Sequence, residues 1–456
     1  MNLKRISWAM TSLAMTSLAV ISASAHATDL IGAWKAAQER DPELAAARVI
    51  VEQAAYKKDQ ANALWEPRLG AAATAGIGGQ DSRTQGAESN GLRDMSFNTS
   101  VNLGALARAQ VSALKPWISP EREALSQQLQ LSADMADVQW RQAQQALILR
   151  TAQRYLEVVA AEQSLSIVQR QQVAVNQATA EITKRQRVGD ASVMDVQEAQ
   201  ARSASIRAQV LNLENNLEMK RVAYRQLVGQ PPSQLASLKA STAVAPGNLA
   251  DANTWVMRAK QQSTTVQLMQ LQQSIQGQEV KRIKAGHAMT VDWVAQAQHD
   301  LLSGQGKFGQ AGNQMTQYMV GIQLQAPLRT NGVLQARELE ALKQIDKLRF
   351  DQEAVELTLE AQVRDAWQNI SSAQVRLQAL ELADKASKAR LLATRNAHRT
   401  GARTTMEWLG ADQDAAQAEL ALLQLRIQTL MERLRLYAAS SELGETQLQE
   451  INALLQ

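Results

Sequence analysis

Apolar residues along this chain follow two periods, and the order of the periods occurs twice. From Asp29 to Leu64, Leu30, Trp34, Ala37, Leu44, Ala47, Val51 and Ala54 keep helical spacing. The run is interrupted at Asp41 and Pro42, where proline is tolerated in a first helical turn. Pro67 ends it. Leu69, Ala71, Ala73, Ala75 and Ile77 then alternate with small residues, and a cluster of Gly, Ser, Asn and Asp fills positions 78–91. Beyond it, Phe97, Thr99, Val101 and Leu103 alternate with Ser96, Asn98, Ser100 and Asn102. Period two on both sides of a polar cluster predicts a hairpin with a long loop, its strands about the ten residues that cross a bilayer at a tilt. Helical spacing resumes after Pro120, and Glu121 to Val188 contains neither Gly nor Pro. At roughly 1.5 Å per residue this stretch is about 100 Å long. Met194 to Leu227 returns antiparallel, with Ile206, Val210, Leu213, Leu217, Tyr224 and Leu227 forming a coiled-coil seam broken by Lys220. Gly229 to Gly247 reads as a linker.

The second half repeats this order. Trp255 to Ala285 is helical, Val291, Trp293 and Ala295 alternate with Asp292 and Gln296, and 303–313 reads as a Gly-rich loop. Tyr318, Val320, Ile322 and Leu324 then alternate with Gly321, Gln323 and Gln325, and Pro327 ends the sheet. A long helix from Val333 to Arg399 is followed by a return helix in which Leu420, Leu423, Ile427, Leu430, Leu434 and Tyr437 hold the cleanest heptad of the chain. The turns between the long helices carry the same register: Gly189, Ser192, Met194 and Asp195 in the first, Gly401, Thr404, Met406 and Glu407 in the second. Glycine ends one helix, and Ser or Thr followed by a carboxylate caps the next. An ungapped shift of 212 positions also superposes Ala161 on Ala373, Leu165 on Leu377, Leu211 on Leu423 and Arg221 on Arg433. The chain is therefore an internal duplication.

Composition narrows this to a mainly α protein with β-strands. Aromatics make up 4% of 456 residues, too few for one large compact core. Lys4 and Arg5 precede an apolar run from Ile6 to Ile21, closed by the small residues Ala25 and Ala27, which is a secretory signal peptide cut after Ala27. Its removal takes the net charge from +4 to about +2, which gives no electrostatic case for nucleic acid. There is no Cys, so disulfides and thiol chemistry are excluded. The histidines at 26, 287, 299 and 398 are not at metal-ligand spacing, and no cofactor motif survives its context. Gly304, Gly306 and Gly309 match a dinucleotide fingerprint, but they lie between two alternating strands with no helix to follow. No carboxylate pair or nucleophile arrangement points to an enzyme.

Four strands of membrane length cannot close a barrel, since the smallest barrels take about eight, and open edges in lipid strand unpaired backbone groups. The expectation is a homotrimer that pools twelve strands into a transmembrane β-barrel and packs its long helical hairpins into an α-barrel. The competing reading is a secreted coiled-coil adaptor or structural stalk.

The duplication, the two turns, Leu114 to Trp117, and Leu324 to Leu328 at the strand exits together resemble the TolC family of outer-membrane channel-tunnel proteins, over essentially the whole mature chain. The resemblance implies a signal peptide at 1–27, an N-terminal helix at 28–66, a first membrane hairpin at 67–116 and a first helical hairpin at 117–229. An equatorial linker at 230–250, a helix at 251–289, a second membrane hairpin at 290–328, a second helical hairpin at 329–437 and an equatorial segment at 438–456 complete it. It further implies partnership with a periplasmic adaptor and an inner-membrane transporter, in efflux or type I secretion. By position, Arg403 resembles the gate arginine that ties one hairpin to a neighbour through a carboxylate matching Asp195, and Glu407 the first of two pore-narrowing carboxylates. Gly410 stands at the second, a departure. Met194 replaces a common Thr, and His398 stands where a gate Tyr can occur, so a thinner closed-state network is expected. The adaptor-contacting tips are Gly189, Asp190, Ala191, Ser192, Gly401, Ala402 and Thr404.

Overall fold

The computed structural model describes residues 29–89, 92–232, 235–238, 249–306, 309–328 and 332–455, so the signal segment and most of the linker lie outside the described residues. The first half runs α1 (Leu30–Arg40), α2 (Pro42–Ala63), β1 (Arg68–Ser89), β2 (Leu92–Ile118), α3 (Pro120–Arg187) and α4 (Val193–Val228). The second runs α5 (Ala252–Gln262), α6 (Thr264–Ala285), β3 (Thr290–Gly306), β4 (Gly309–Gln325), α7 (Val333–Arg399) and α8 (Thr405–Ala439), and α9 (Glu445–Ala453) closes the chain. Both halves open on a broken helix of 11 and then 22 residues. Proline marks the first break. The second, at Ser263, was not expected, because Gln261 to Thr265 carries no breaker and an extended backbone at Ser263 makes the kink.

The strands form one antiparallel sheet in the order β1-β2-β3-β4. They are longer than the pattern suggested. β1 and β2 pair through most of the polar cluster at 78–91, and β3 and β4 through most of 303–313, so both expected long loops are largely strand. The pairing register explains the difference. Leu69, Val111, Ala295 and Val320 share one face with Ile77, Leu103, Trp293 and Ile322, whereas Arg108, Gln110, Gln296, Asp300 and Gln323 share the other. On the apolar face, the rungs from Trp293 to Ser303 rise about 25 Å at strand spacing and a barrel-like tilt, the height of a hydrocarbon band. Beyond these rungs the pairing continues into segments richer in Gly, Ser, Asn and Gln. Trp117 and Trp293 stack at 5.9 Å between centroids at the lower border of the band, where amphipathic rings are favoured. His299, Thr316 and Gln314 lie on the apolar face, and the His299 ring hydrogen-bonds each of the other two. On the polar face, the Arg108 guanidinium donates two bonds to Asp300 directly opposite it, at 2.7 and 3.1 Å. Gly104 and Gly304 face each other so closely that a Cβ on either would lie 2.4 Å or less from the other strand's backbone.

The helices lie side by side in a single layer. Near the strands the lateral order is α2, α3, α6, α7, and toward the turns it is α4, α3, α8, α7. α8 buries its heptad residues Leu423, Leu430 and Leu434, and also Leu422, Leu425 and Leu436, because it is packed between α7 and α3. The largest apolar cluster sits where α1, α3, α4, α8 and α9 meet, around Leu30, Tyr155, Leu156, Tyr224, Leu434, Leu448 and Ile451. α9 does not fray: the Asn452 amide accepts the Leu30 N–H at 3.0 Å and donates to Asp29 at 3.1 Å, tying the C-terminal segment to the first helix. No described helix is long and apolar enough to cross a membrane.

Candidate functional site

The two turns far from the strands fold alike because their sequences dictate the same caps. Gly189 and Gly401 adopt φ of +83° and +76°, a conformation that glycine alone adopts without strain. The following N–H then reaches back five residues, from Asp190 to the Arg185 carbonyl at 2.8 Å and from Ala402 to the Ala397 carbonyl at 2.9 Å. The next helix starts at once on a reciprocal cap. Ser192 Oγ accepts the Asp195 N–H while the Asp195 carboxylate accepts the Ser192 N–H, at 3.0 and 3.2 Å. In the second turn the hydroxyl of Thr404 and the carboxylate of Glu407 do the same, at 3.2 and 2.8 Å. Each pairing satisfies two donors that a helix start would otherwise leave to water.

The gate residues predicted from sequence are only partly brought together within one chain. Arg403 donates to Glu407 at 2.5 Å, one helical turn on, in an exposed pair. Neither a hydrogen bond nor an ion pair joins Arg403 to Asp195 among the described residues, and the Asp195 carboxylate is engaged by one oxygen in its own cap. The Glu407 carboxyl is held down to about 2 by the Thr404 backbone N–H first, then by the Arg403 guanidinium and the Thr404 hydroxyl. It is therefore ionised at any physiological pH. Gly410 contributes no carboxylate.

Two groups near this turn were missed from sequence. His398 was judged there only as a metal ligand or a tyrosine replacement. It is buried and stacked on Trp408, with one ring nitrogen 3.1 Å from the Glu181 carboxylate and the other 3.1 Å from the Arg403 carbonyl oxygen. Asp412, on α8, has its carboxyl pushed up to about 6 by burial, against the pull of Arg395, Arg202 and Arg170, and one of its oxygens is buried without a hydrogen bond. No motif marks either residue, since their environment comes from α3 and α4, some 200 residues away. Among the described residues no group of acidic, His or Cys side chains is arranged to hold a metal.

The sequence profile of outer membrane efflux proteins matches residues 118–230 and 255–442, which takes in both helical hairpins and the second strand pair. This chain belongs to the outer membrane efflux protein family. It is an outer-membrane channel whose helices lie in the periplasm, and the family is not one of enzymes. The adaptor or stalk reading is thereby set aside. The chain is similar to the outer membrane protein TolC of Vibrio cholerae, with 25% identity over 96% of each chain. It is also similar to the alkaline protease secretion protein AprF of Pseudomonas aeruginosa, with 24% identity over 99% of this chain and 92% of the relative. Among solved structures, the CmeC outer membrane channel of Campylobacter jejuni shares the fold at a TM-score of 0.73 and 12% identity, covering 100% of this chain and 98% of that one. As in other outer membrane efflux proteins, strands and helices divide the labour: the sheet belongs to the membrane, and the turns lie at the far periplasmic end.

Proposed function

We propose that three copies of this chain form one exit duct, which receives small molecules or unfolded polypeptide from an inner-membrane transporter through a periplasmic adaptor. The observation that carries the trimer is the pair of open edges. β1 and β4 have no partner on their outer sides within the described sheet, yet its apolar face requires a bilayer. Closing the edges with copies in the same rotational sense gives a ring. The helical layer supports the same operator. At one side α7 leaves Leu339, Phe350, Leu357, Val375 and Leu382 exposed, and at the other side α4 and α2 leave Leu211, Met219, Val222, Val49 and Tyr56 exposed. A neighbour's α4 and α2 would cover the first set, with residues 350 and 357, and 375 and 382, each a heptad apart. Detergent extracts of the outer membrane should yield a heat-labile species of three times the monomer mass. A monomer released with the soluble periplasm would sink this reading.

In the trimer the strands form the membrane part, the helical hairpins the tunnel, and the cluster around α9 the belt. At the tunnel's end Arg403 of one copy reaches Asp195 of the next and holds the hairpins inward. Adaptor hairpins engaging the turns at Gly189 to Ser192 and Gly401 to Thr404 shift the population toward the open form. Three Glu407 carboxylates at this constriction favour cations. Glu407→Gln is expected to lower the cation-to-anion permeability ratio several-fold. Because the Thr404 backbone N–H and hydroxyl hold the carboxyl below the usual range even when Arg403 leaves it, the native preference should persist to lower pH than an ordinary glutamate allows. Identical reversal potentials for the two proteins would remove Glu407 from the pore mouth. The family supports efflux as the task, and the secretion role in the name of AprF supports polypeptide as a second cargo class.

A further inference from the structure

The link between the two hairpins nearest in sequence to both turns, among the described residues, is made by His398. This residue lies on the last turn of α7 and is 8% exposed. Its ring lies nearly parallel to that of Trp408 on α8, with centroids 5.5 Å apart and 19° between planes. Both ring nitrogens face acceptors: Nδ1 is 3.1 Å from the Arg403 carbonyl oxygen, and Nε2 is 3.1 Å from the Glu181 carboxylate on α3. A neutral imidazole has one N–H and can serve one of them, whereas the imidazolium serves both.

We propose that His398 is a positioning residue of the periplasmic gate, and that its protonation fastens the closed tip by clasping Glu181 of the first hairpin and the Arg403 backbone of the second at once. The proposal rests on the reading of Arg403 as the gate residue. It adds a proton as the controlling ligand. With both bonds made, the backbone that launches the Arg403 side chain is fixed to α3, so the guanidinium starts from one place when it reaches for a neighbour. When the ring is neutral, one of the two acceptors faces a bare nitrogen, and the turn can shift against α3.

The charges around the ring decide the direction of the effect. From α3 comes the Glu181 carboxylate, with Lys184 one turn further on. The Arg403 guanidinium from the turn is directed to Glu407 and is partly compensated there. From α8 come the Trp408 ring face, which attracts a cation, and Asp412 one turn beyond. From α7 itself, the Arg395 guanidinium lies 5.9 Å from the Trp408 centroid and opposes a second positive charge. Burial opposes it too. The imidazolium form nevertheless matches the two acceptors it touches, so protonation completes the clasp and deprotonation releases one of its two bonds. Histidine changes charge between about pH 5 and 8, where carboxylates of ordinary acidity stay ionised.

The test is planar-bilayer conductance of the purified full-length trimer. Between about pH 5.5 and 8, wild-type conductance should rise by roughly threefold or more. His398→Gln keeps a hydrogen-bonding side chain of similar reach but cannot change charge, and its conductance should be flat over the same range. Asp412 titrates in this window, so Asp412→Asn serves as the control and should keep the wild-type rise. Where His398→Gln fails to give the heat-labile trimer, Glu181→Gln leaves the buried ring in place and should also flatten the profile. A rise that survives in both variants, or a flat wild-type profile while Arg403→Ser still opens the channel, overturns the proton clasp and leaves the gate standing. An Arg403→Ser channel identical to wild type removes the gate and the clasp together.

Discussion

Replacing Arg403 with Ser is expected to raise single-channel conductance several-fold. Within one chain the guanidinium is directed to Glu407, an exposed partner one helical turn away, and such a solvent-screened pair contributes little to stability. The side chain can therefore leave it at little cost when a neighbour offers a better acceptor. Asp195 is suited to that role: its cap occupies one carboxylate oxygen and leaves the other free, and it sits on the equivalent position of the other hairpin's turn. Three such links around a ring act together, so their loss should shift the closed-to-open balance by far more than one surface ion pair would. Thr404 and its cap survive the substitution, so the turn itself stays folded and the change reads the gate alone. Conductance indistinguishable from wild type would return Arg403 to the role of an intrahelical ion pair.

A chain that stops after Ser440 is expected to disappear from the outer membrane. The removed segment contributes Leu448, Ile451 and Leu455, all fully buried, and Leu443, nearly so. At about 1.5 to 3 kcal/mol for each buried aliphatic side chain, the first three are together worth roughly 5 to 9 kcal/mol. That figure is an upper estimate, because an unfolded chain already buries some of its apolar surface. It is still comparable to the whole stability of an ordinary domain. The loss falls at the junction of five helices, in the apolar cluster that also holds Leu30, Tyr155 and Leu434. The heat-labile trimer should vanish from membrane extracts and degradation fragments should appear. Wild-type abundance and thermal stability would show instead that the terminal helix is an ornament on an already complete core.

Much of this architecture was legible from residue patterns, because each pattern reports a local rule. The long helices were bounded to within a residue or so, since Gly189, Gly401 and the Ser or Thr caps leave the backbone little choice. The strand ends were misjudged for the opposite reason. Past the alternating rungs the paired segments are rich in Gly and Ser, and such a ladder looks like a loop in sequence. The kink at Ser263 escaped because a capping Ser amid Gln and Thr is not distinctive. At the turns, Arg403, Glu407 and Asp195 could be placed by register, but their partners could not, since those depend on which helices lie side by side. His398 shows this most plainly. Its meaning comes from Glu181, which is 217 residues away in sequence and 3.1 Å away in space.

The open borders of the sheet also govern how such a molecule can be made. A lone copy has no comfortable place in lipid, because every unmatched amide along β1 and β4 would face hydrocarbon, while its helices can meet their counterparts in water beforehand. If copies close the ring as proposed, biogenesis would run from the periplasmic side, with the rods meeting first and the ribbons entering the membrane as a finished circle.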